Sequence, residues 1–368
     1  MSNAYPELDG EVVAASLRIL TDSLRNQLGF DGLVVSDYEA VVMLHNFHYV
    51  AEDKSSAARL AMDAGIDVEL PTVKCYKDPL RAALEAGEIS LETIDRSVYR
   101  HLQKKMELGL FENAFVDEGR ALEVFENPQN RIIAREIAQK SIVLLKNDGC
   151  LPLKRNLKRI AVIGPNANDG RNQLGDYSYL SMMELVELRG QQDPSYVKID
   201  KSDHGYGRII TILDGIREAV SEHTQVLYAK GCEILNDDQS GFDEAYKLAE
   251  MSDVVVLVLG DRSGLTPECS TGELRDAADL HLPGVQENLA RTIIAAGKPV
   301  VAVLINGRPY AISWLAENAS AIREAWLPGE EGGAAVADVL VGEVNPSGKL
   351  PVTFPRGVGQ IPIFHSAK

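Results

Sequence analysis

Two acidic residues stand where carboxylates commonly do nucleophilic or acid–base chemistry. Asp37 closes the apolar run Leu33-Val34-Val35 inside Gly29-Phe30-Asp31-Gly32-Leu33-Val34-Val35-Ser36-Asp37-Tyr38. A short continuous apolar run is the pattern of a strand buried on both faces of a parallel sheet. The carboxyl end of such a strand is where α/β enzymes keep their reactive groups. Glu273 lies in Ser270-Thr271-Gly272-Glu273-Leu274-Arg275-Asp276, a Gly/Ser/Thr-rich loop after the apolar run Asp253 to Gly260 and before Leu280-His281-Leu282-Pro283-Gly284. Two carboxylates on different elements, each in a loop at a strand end, suit glycosidic bond cleavage. One attacks or stabilises the anomeric carbon and the other protonates the leaving oxygen. Each has a plainer use as well. Asp is a frequent helix N-cap and turn residue, and Glu273 fits an exposed loop carboxylate.

The elements that must position these groups fall into two blocks. Over 1–112, helical and strand patterns alternate: a helix from Val12 to Leu28, a strand Leu33 to Ser36, and a helix Ser55 to Ala64 stopped by Gly65. A strand Ile66 to Leu70 follows, then helices Pro79 to Ala86 and Leu91 to Leu110, the latter capped by Ser90. Alternation of this kind means parallel β/α units, yet two or three strands fall short of the eight of a closed barrel. Residues 113–124 read as a polar linker. From 125 to 368 a second unit begins with an arm helix, Gln129 to Ser141, and the apolar segment Ile142 to Asn147. Strand Arg159 to Gly164 and a long loop, 165–207, come next, followed by alternating helices (208–220, 241–251, 284–297) and strands (225–228, 253–259, 299–305). Ala321 to Leu327 reads as a last short strand or edge, with a helix from Gly332 to Leu340 behind it. This pattern predicts an open α/β sandwich domain.

Composition narrows the partners. The chain has 368 residues, 45% hydrophobic and 25% charged, with 37 basic and 54 acidic residues and a formal charge of −17. That balance argues against nucleic acid and suits a neutral small carbohydrate. Cys75, Cys150, Cys232 and Cys269 have neither metal spacing nor a paired framework and read as free thiols. No 18-residue apolar stretch occurs, so no membrane span is expected. The first ten residues lack the basic and apolar regions of a secretion signal. His45 and His48 are three apart but have no third ligand placed with them, so no metal is expected. Gly164-Pro165-Asn166-Ala167 follows a strand without the G-x-G-x-x-G spacing, so dinucleotide binding finds little support, and no cofactor is expected.

Many segments resemble glycoside hydrolase family 3, the β-glucosidase and β-xylosidase group. Gly32-Leu33-Val34-Val35-Ser36-Asp37-Tyr38 is similar to its nucleophile motif. Ala64-Gly65-Ile66-Asp67-Val68-Glu69-Leu70-Pro71 and Leu108-Gly109-Leu110-Phe111-Glu112 resemble the end of its barrel. Its second domain is matched by Ser141 to Asn147, Ile163 to Ala167, Asn306-Gly307-Arg308-Pro309, Trp326 to Gly333 and Asn345 to Pro351. The resemblance implies an α/β chain made of the C-terminal part of a (β/α)8-type barrel (1–112), the linker (113–124) and an α/β sandwich domain (125–368). It implies Asp37 as nucleophile and Glu273 as general acid/base, in a motif usually written Gly-Glu-x-x-Asp-Arg; here Ala277 follows Asp276 where the family often has Arg.

The same resemblance implies retaining hydrolysis that removes β-linked glucose or xylose from a non-reducing end. The two carboxylates would lie about 5–5.5 Å apart, with the Glu273 loop partly desolvated. Tyr5, the Tyr of the sixth barrel strand, and Tyr38, an aromatic beside the nucleophile, are implied sugar contacts. Asp67 and Glu69 are weaker candidates for the same role. Barrel strands one to five, which carry further sugar-gripping residues in the family, have no counterpart in this chain. A half-barrel exposes strand edges and apolar faces, so a complementary chain or a homo-oligomer is expected to cover them. Two other readings stand beside the glycosidase: a sugar-binding or interaction piece with an incomplete pocket, and a nucleotide-dependent α/β enzyme that rests on fold analogy alone.

Overall fold

The computed structural model describes residues 1–154, 156–192 and 208–364, and the chain forms two compact units, Met1–Glu118 and Gly119–Lys368. The predicted loop 165–207 therefore lies partly outside the described residues.

In the first unit, three extended segments run parallel, joined by single bridges at Ser2–Val35 and Val35–Val68. Val35 N–H donates to Met1 O (2.8 Å), Asn3 N–H to Val35 O (3.3 Å) and Ser36 N–H to Val68 O (2.7 Å). The strands expected at Leu33–Ser36 and Ile66–Leu70 are thus present as short paired segments rather than long ladders. A hairpin of β1 (Glu7–Leu8) and β2 (Glu11–Val12) follows the first segment. Beyond it come α1 (Ala40–Asn46), α2 (Lys54–Ala64), α3 (Asp78–Glu85) and α4 (Leu91–Glu107). The helix expected over Val12 to Leu28 is instead a 3₁₀ turn, Val13–Ala15, and a π-helix, Arg18–Gln27. Long π-helices are rare. Here Leu20 and Leu24 are buried while Arg25 reaches the next segment, donating from Nη1 to Gly32 O at 2.9 Å. α1 has no counterpart in the sequence reading, because its start is a left-handed Glu39 (φ 66°) without a side-chain cap.

One carboxylate ties the first unit together. Asp67 Oδ2 accepts from Arg25 Nη2 (2.8 Å) and Val34 N–H (3.0 Å), and Oδ1 accepts from Ser97 Oγ (3.0 Å) and Arg100 Nη1 (2.9 Å). Its side chain has no solvent exposure, and that of Arg25 has 8%. The π-helix, two parallel segments and α4 therefore converge on a single acid, which leaves Asp67 no oxygen for a sugar. Glu69 is similarly engaged, accepting from the N–H groups of Lys74 (3.1 Å), Cys75 (2.8 Å) and Tyr76 (2.7 Å).

In the second unit, α5 (Ala121–Phe125) and α6 (Pro128–Ser141) lead into β3 (Val143–Asn147) and β4 (Arg159–Ile163). α7 (Tyr179–Gln192), α8 (Ile212–Ala219), β5 (Gln225–Ala229), α9 (Phe242–Glu250) and β6 (Val254–Gly260) follow. The chain continues with α10 (Gln286–Ile294), β7 (Val300–Ile305), α11 (Ser313–Asn318), β8 (Ala321–Trp326) and α12 (Gly332–Val341). The six strands order β3-β8-β7-β6-β4-β5, all parallel except β3, which runs antiparallel to β8.

Alternate residues of β6 serve two cores. Val254, Val256 and Val258 pack with α8 and α12, whereas Val255, Leu257 and Leu259 pack with α9, α10 and α11. Two expectations need correction. The short strand expected from Ala321 to Leu327 does form, as β8, but as an interior one with Arg323 and Glu324 both buried, and β3 and β5 form the edges. The long loop contains α7, whose weakly amphipathic sequence hides it. Gly164, at φ +128° after β4, carries no Cβ because one would sit 2.0 Å from Val258 O.

Replacing Asp67 by Ala leaves the buried Arg25 without its partner, an arrangement that costs about 3–5 kcal/mol. Urea unfolding followed by circular dichroism is expected to show a loss of that order. A loss below about 1 kcal/mol would mean that the network is not holding the unit.

Candidate active-site residues

Asp37 follows the middle one of the three parallel segments. Its N–H donates to Asn3 Oδ1 (3.1 Å), and the preceding Ser36 is tied to the third segment, its Oγ accepting from Leu70 N–H (2.8 Å). The backbone is therefore held from both sides. Its carbonyl accepts from Ala40 N–H (3.1 Å), at the start of α1, but its side chain caps no helix. Instead Oδ1 accepts from Tyr5 Oη (2.8 Å) and from Tyr38 N–H (2.7 Å), while Oδ2 accepts no hydrogen bond among the described residues. Tyr5 Oη also lies 2.9 Å from Tyr38 O. The first unit thus brings Tyr5, Asp37 and Tyr38 together at the carboxyl ends of parallel segments. Tyr38 is 62% exposed and Tyr5 39%, so both rings face solvent rather than a core.

Asn3 is a participant that sequence reasoning missed. A polar residue two positions before Tyr5 on a parallel segment was the available signal.

Glu273 belongs to the second unit, in the loop after β6. Gly272 sits at φ +119°, and a Cβ there would lie 2.6 Å from Gly264 O, so this turn requires glycine. Leu274 is also left-handed (φ 62°). Glu273 Oε2 accepts from Tyr177 Oη, and its N–H donates to Asp176 Oδ2 (3.0 Å). Both partners come from the loop before α7, where Gly175-Asp176-Tyr177 carried a signal that went unread. The loop is braced from beneath by Arg308, which follows β7 and donates from Nη2 to Thr271 Oγ1 (3.4 Å) and to Arg275 O. Arg275 in turn donates to Leu265 O (2.9 Å). Glu273 itself is exposed, so the second unit does not supply the desolvation expected of a proton donor.

Below this loop two acids are buried at strand ends. Asp261, after β6, accepts from Tyr310 Oη (2.9 Å) and Gly307 N–H (3.2 Å); Glu324 of β8 accepts from Trp326 N–H (2.7 Å). Burial pushes the Asp261 carboxyl up to about 6, against the pull of Tyr310 and Gly307. Burial also pushes Glu324 up to about 8, and the nearby Asp261 adds to the rise. His45 and His48 are engaged elsewhere, with Ala51 O (3.2 Å) and Glu7 Oε1 (3.3 Å). Among the described residues no group of three or more His, Cys, Asp or Glu could hold a metal ion, and the four cysteines are free thiols.

The Glycosyl hydrolase family 3 N terminal domain pattern matches residues 1–103, and the Glycosyl hydrolase family 3 C-terminal domain pattern matches residues 142–368. The chain belongs to glycosyl hydrolase family 3. A β-xylosidase of Formosa agariphila is 39% identical to it over 94% of this chain and 46% of its own length. A periplasmic β-glucosidase of Salmonella typhimurium is 34% identical over 99% of this chain and 47% of its own. The solved structure of a β-glucosidase involved in saponin metabolism from intestinal bacteria superposes with a TM-score of 0.83 at 31% identity, covering 98% of this chain and 51% of that one. This family 3 chain therefore spans about half the length of the curated relatives it matches. Its fold is the C-terminal part of the family barrel followed by the α/β sandwich domain.

The two buried acids predict a pH dependence in this family 3 chain. Both bind protons more tightly folded than unfolded, where their ordinary values are 3.8 and 4.5. The folded state therefore holds protons that the unfolded chain releases. The stabilisation is complete below about 4, and it is lost as pH rises through about 6 for Asp261 and about 8 for Glu324. Each group contributes a slope of roughly 1 kcal/mol per pH unit in its window. Thermal melts are expected to fall as pH rises from about 5 to about 8, and Glu324→Gln to remove the fall between about 6 and 8. An unchanged slope in the variant would remove Glu324 from the account.

Proposed function

We propose that this chain carries the reacting carboxylates of a retaining, exo-acting β-glycosidase that releases glucose or xylose from a non-reducing end. Asp37 attacks the anomeric carbon and forms a glycosyl ester while Glu273 protonates the departing oxygen. Glu273 then takes a proton from the water that hydrolyses the ester, and Asp37 leaves as the carboxylate. The observation that carries the reading is the asymmetry of the Asp37 carboxylate. Two donors fix Oδ1 and hence the rotation of the group, and Oδ2 has no partner among the described residues. An oriented oxygen with nothing bonded to it is what a nucleophile needs. Tyr5 and Tyr38, exposed on either side, are suited to contact a sugar ring. The relatives' names, β-xylosidase and β-glucosidase, support the substrate class.

A second reading is an incomplete unit that binds sugar or turns over only with the remaining barrel strands, on the same polypeptide or a separate chain. It is favoured by the segment at 1–3, which pairs on one side only among the described residues. It is also favoured by the exposed apolar row Val98, Tyr99, Leu102 and Met106 along α4. No cofactor is proposed in either case.

Size-exclusion chromatography of the purified chain, with 4-nitrophenyl β-glucoside and β-xyloside assays across the peaks, tests both. Under the first reading Asp37→Ala abolishes turnover, and Glu273→Gln lowers it by about 10²–10⁴-fold on these substrates. Appreciable residual turnover by Asp37→Ala would refute the nucleophile. A folded wild-type chain without turnover supports the second reading.

A further inference from the structure

Arg323, in the middle of β8, is a buried charge without a counterion. It is 4% exposed and lies between Leu144 of β3 and Val303 of β7. Alternate residues of a strand face opposite sides of the sheet, so Arg323 shares a face with Ala321 and Ala325, which pack into the core with α8 and α12. Its neighbour Glu324 lies on the other face, engaged with Asn306 Nδ2 and Trp326 N–H. Among the described residues Arg323 Nε and Nη1 have no hydrogen-bond partner. An unpaired guanidinium is costly to bury, and here burial pulls the group down to about 10. The ionisable group that acts on it is the Cys150 thiol.

A built turn presents that thiol. Asn147 Oδ1 accepts from Gly149 N–H (3.0 Å) and Leu151 N–H (3.1 Å), and Asn147 Nδ2 donates to Leu151 O (3.0 Å). The backbone on both sides of Cys150 is thereby fixed, and Cys150 packs against the same core as Ala321 and Ala325. The nearby Lys146 and Asp148 pair with each other at 3.0 Å. Cys75, Cys232 and Cys269 are buried, whereas Cys150 is only half-buried and open to a small reagent. A neutral thiol leaves the guanidinium uncompensated. An oxyacid anion on the same sulfur would supply the missing charge and the missing acceptors.

We propose that Cys150 is a modification site for hydroperoxides, and that its product, a sulfinate, is held by Arg323. In the first step the sulfur attacks one peroxide oxygen and the O–O bond breaks. The departing hydroxide takes the thiol proton, giving sulfenic acid and water. A second peroxide oxidises the sulfenic acid to the sulfinate, releasing water and a proton. Sulfur loses two electrons in each step and each peroxide is reduced to water. Burial raises the Cys150 thiol, against the pull of Arg323 and Lys146, so attack is slow and the site answers sustained peroxide rather than a brief pulse. The site involves neither Asp37 nor Glu273.

The test treats the full chain with millimolar hydrogen peroxide and follows it by peptide mass spectrometry and thermal melts. Cys150 is expected to gain two oxygen atoms before the three buried thiols gain any. The oxidised chain is expected to melt about 2–4 °C higher than the reduced one, and Arg323→Leu to abolish that gain. Cys150→Asp, whose carboxylate imitates the sulfinate, is expected to raise the melt beside Arg323 and to lower it in the Arg323→Leu background. If Arg323→Leu does not fold, Cys150→Asn is the comparison, and Cys150→Asp is expected to melt above it. Oxidation of a buried thiol ahead of Cys150 would overturn the proposal. So would equal shifts from Cys150→Asp with and without Arg323→Leu, or a melt of Cys150→Asp no higher than that of Cys150→Asn.

Discussion

Parallel backbone pairing is the constraint on which both units depend. When neighbouring strands run the same way, every carboxyl end emerges at one edge, and the loops that follow are brought together there. In the first unit this places Tyr5, Asp37 and Glu69 after three adjacent segments. In the second it gathers Asn166, Asp261 and Asn306 after β4, β6 and β7. Polar residues at such an edge need no special folding signal of their own. They inherit their proximity from the direction of the strands.

Proximity alone does not orient a side chain, and the two units solve that problem differently. Asp37 is oriented by groups from its own parallel neighbours, Asn3 on the backbone and Tyr5 on the carboxylate. Glu273 stands on a loop that must hold itself up. Its turn depends on a left-handed Gly272, on Arg308 bonding to carbonyl and hydroxyl groups beneath, and on Asp176 and Tyr177 reaching across from another loop. The side chains that hold the first acid stand on paired parallel segments and those that hold the second stand on loops, and paired segments are the more rigid support.

Each unit also contains buried acids. Asp67 neutralises Arg25 and Arg100 and joins three elements of the first unit. Among the described residues Asp261 and Glu324 have no such cation bonded to them, and Tyr310, Gly307, Trp326 and Asn306 are their donors. Burial raises the proton affinity of Asp261 and Glu324 because, without a bonded positive charge, the neutral acid is the cheaper form in a low-dielectric interior.

Runs of apolar residues between turn signals were legible from the sequence, because burial on both faces of a parallel sheet demands unbroken hydrophobic strands. β4, β6 and β7 were located within a residue or two on that ground, and the helices that cover them within about four. The ordered motifs, from Ser36-Asp37-Tyr38 to Asn306-Gly307-Arg308-Pro309, likewise carried the family. The rest was decided by tertiary structure. Asp67 and Glu69 were weaker candidates for sugar contact, and in the fold their oxygens accept from arginines, a serine hydroxyl and backbone N–H groups. Ala321 to Leu327 read as a last short strand or edge, and the fold places it as a strand between β7 and β3. The π-helix at Arg18–Gln27 and the left-handed start of α1 have no local sequence signature. Local sequence determines which residues must leave water. Which polar groups then meet inside depends on contacts between segments far apart in the chain, and only the folded structure brings those segments together.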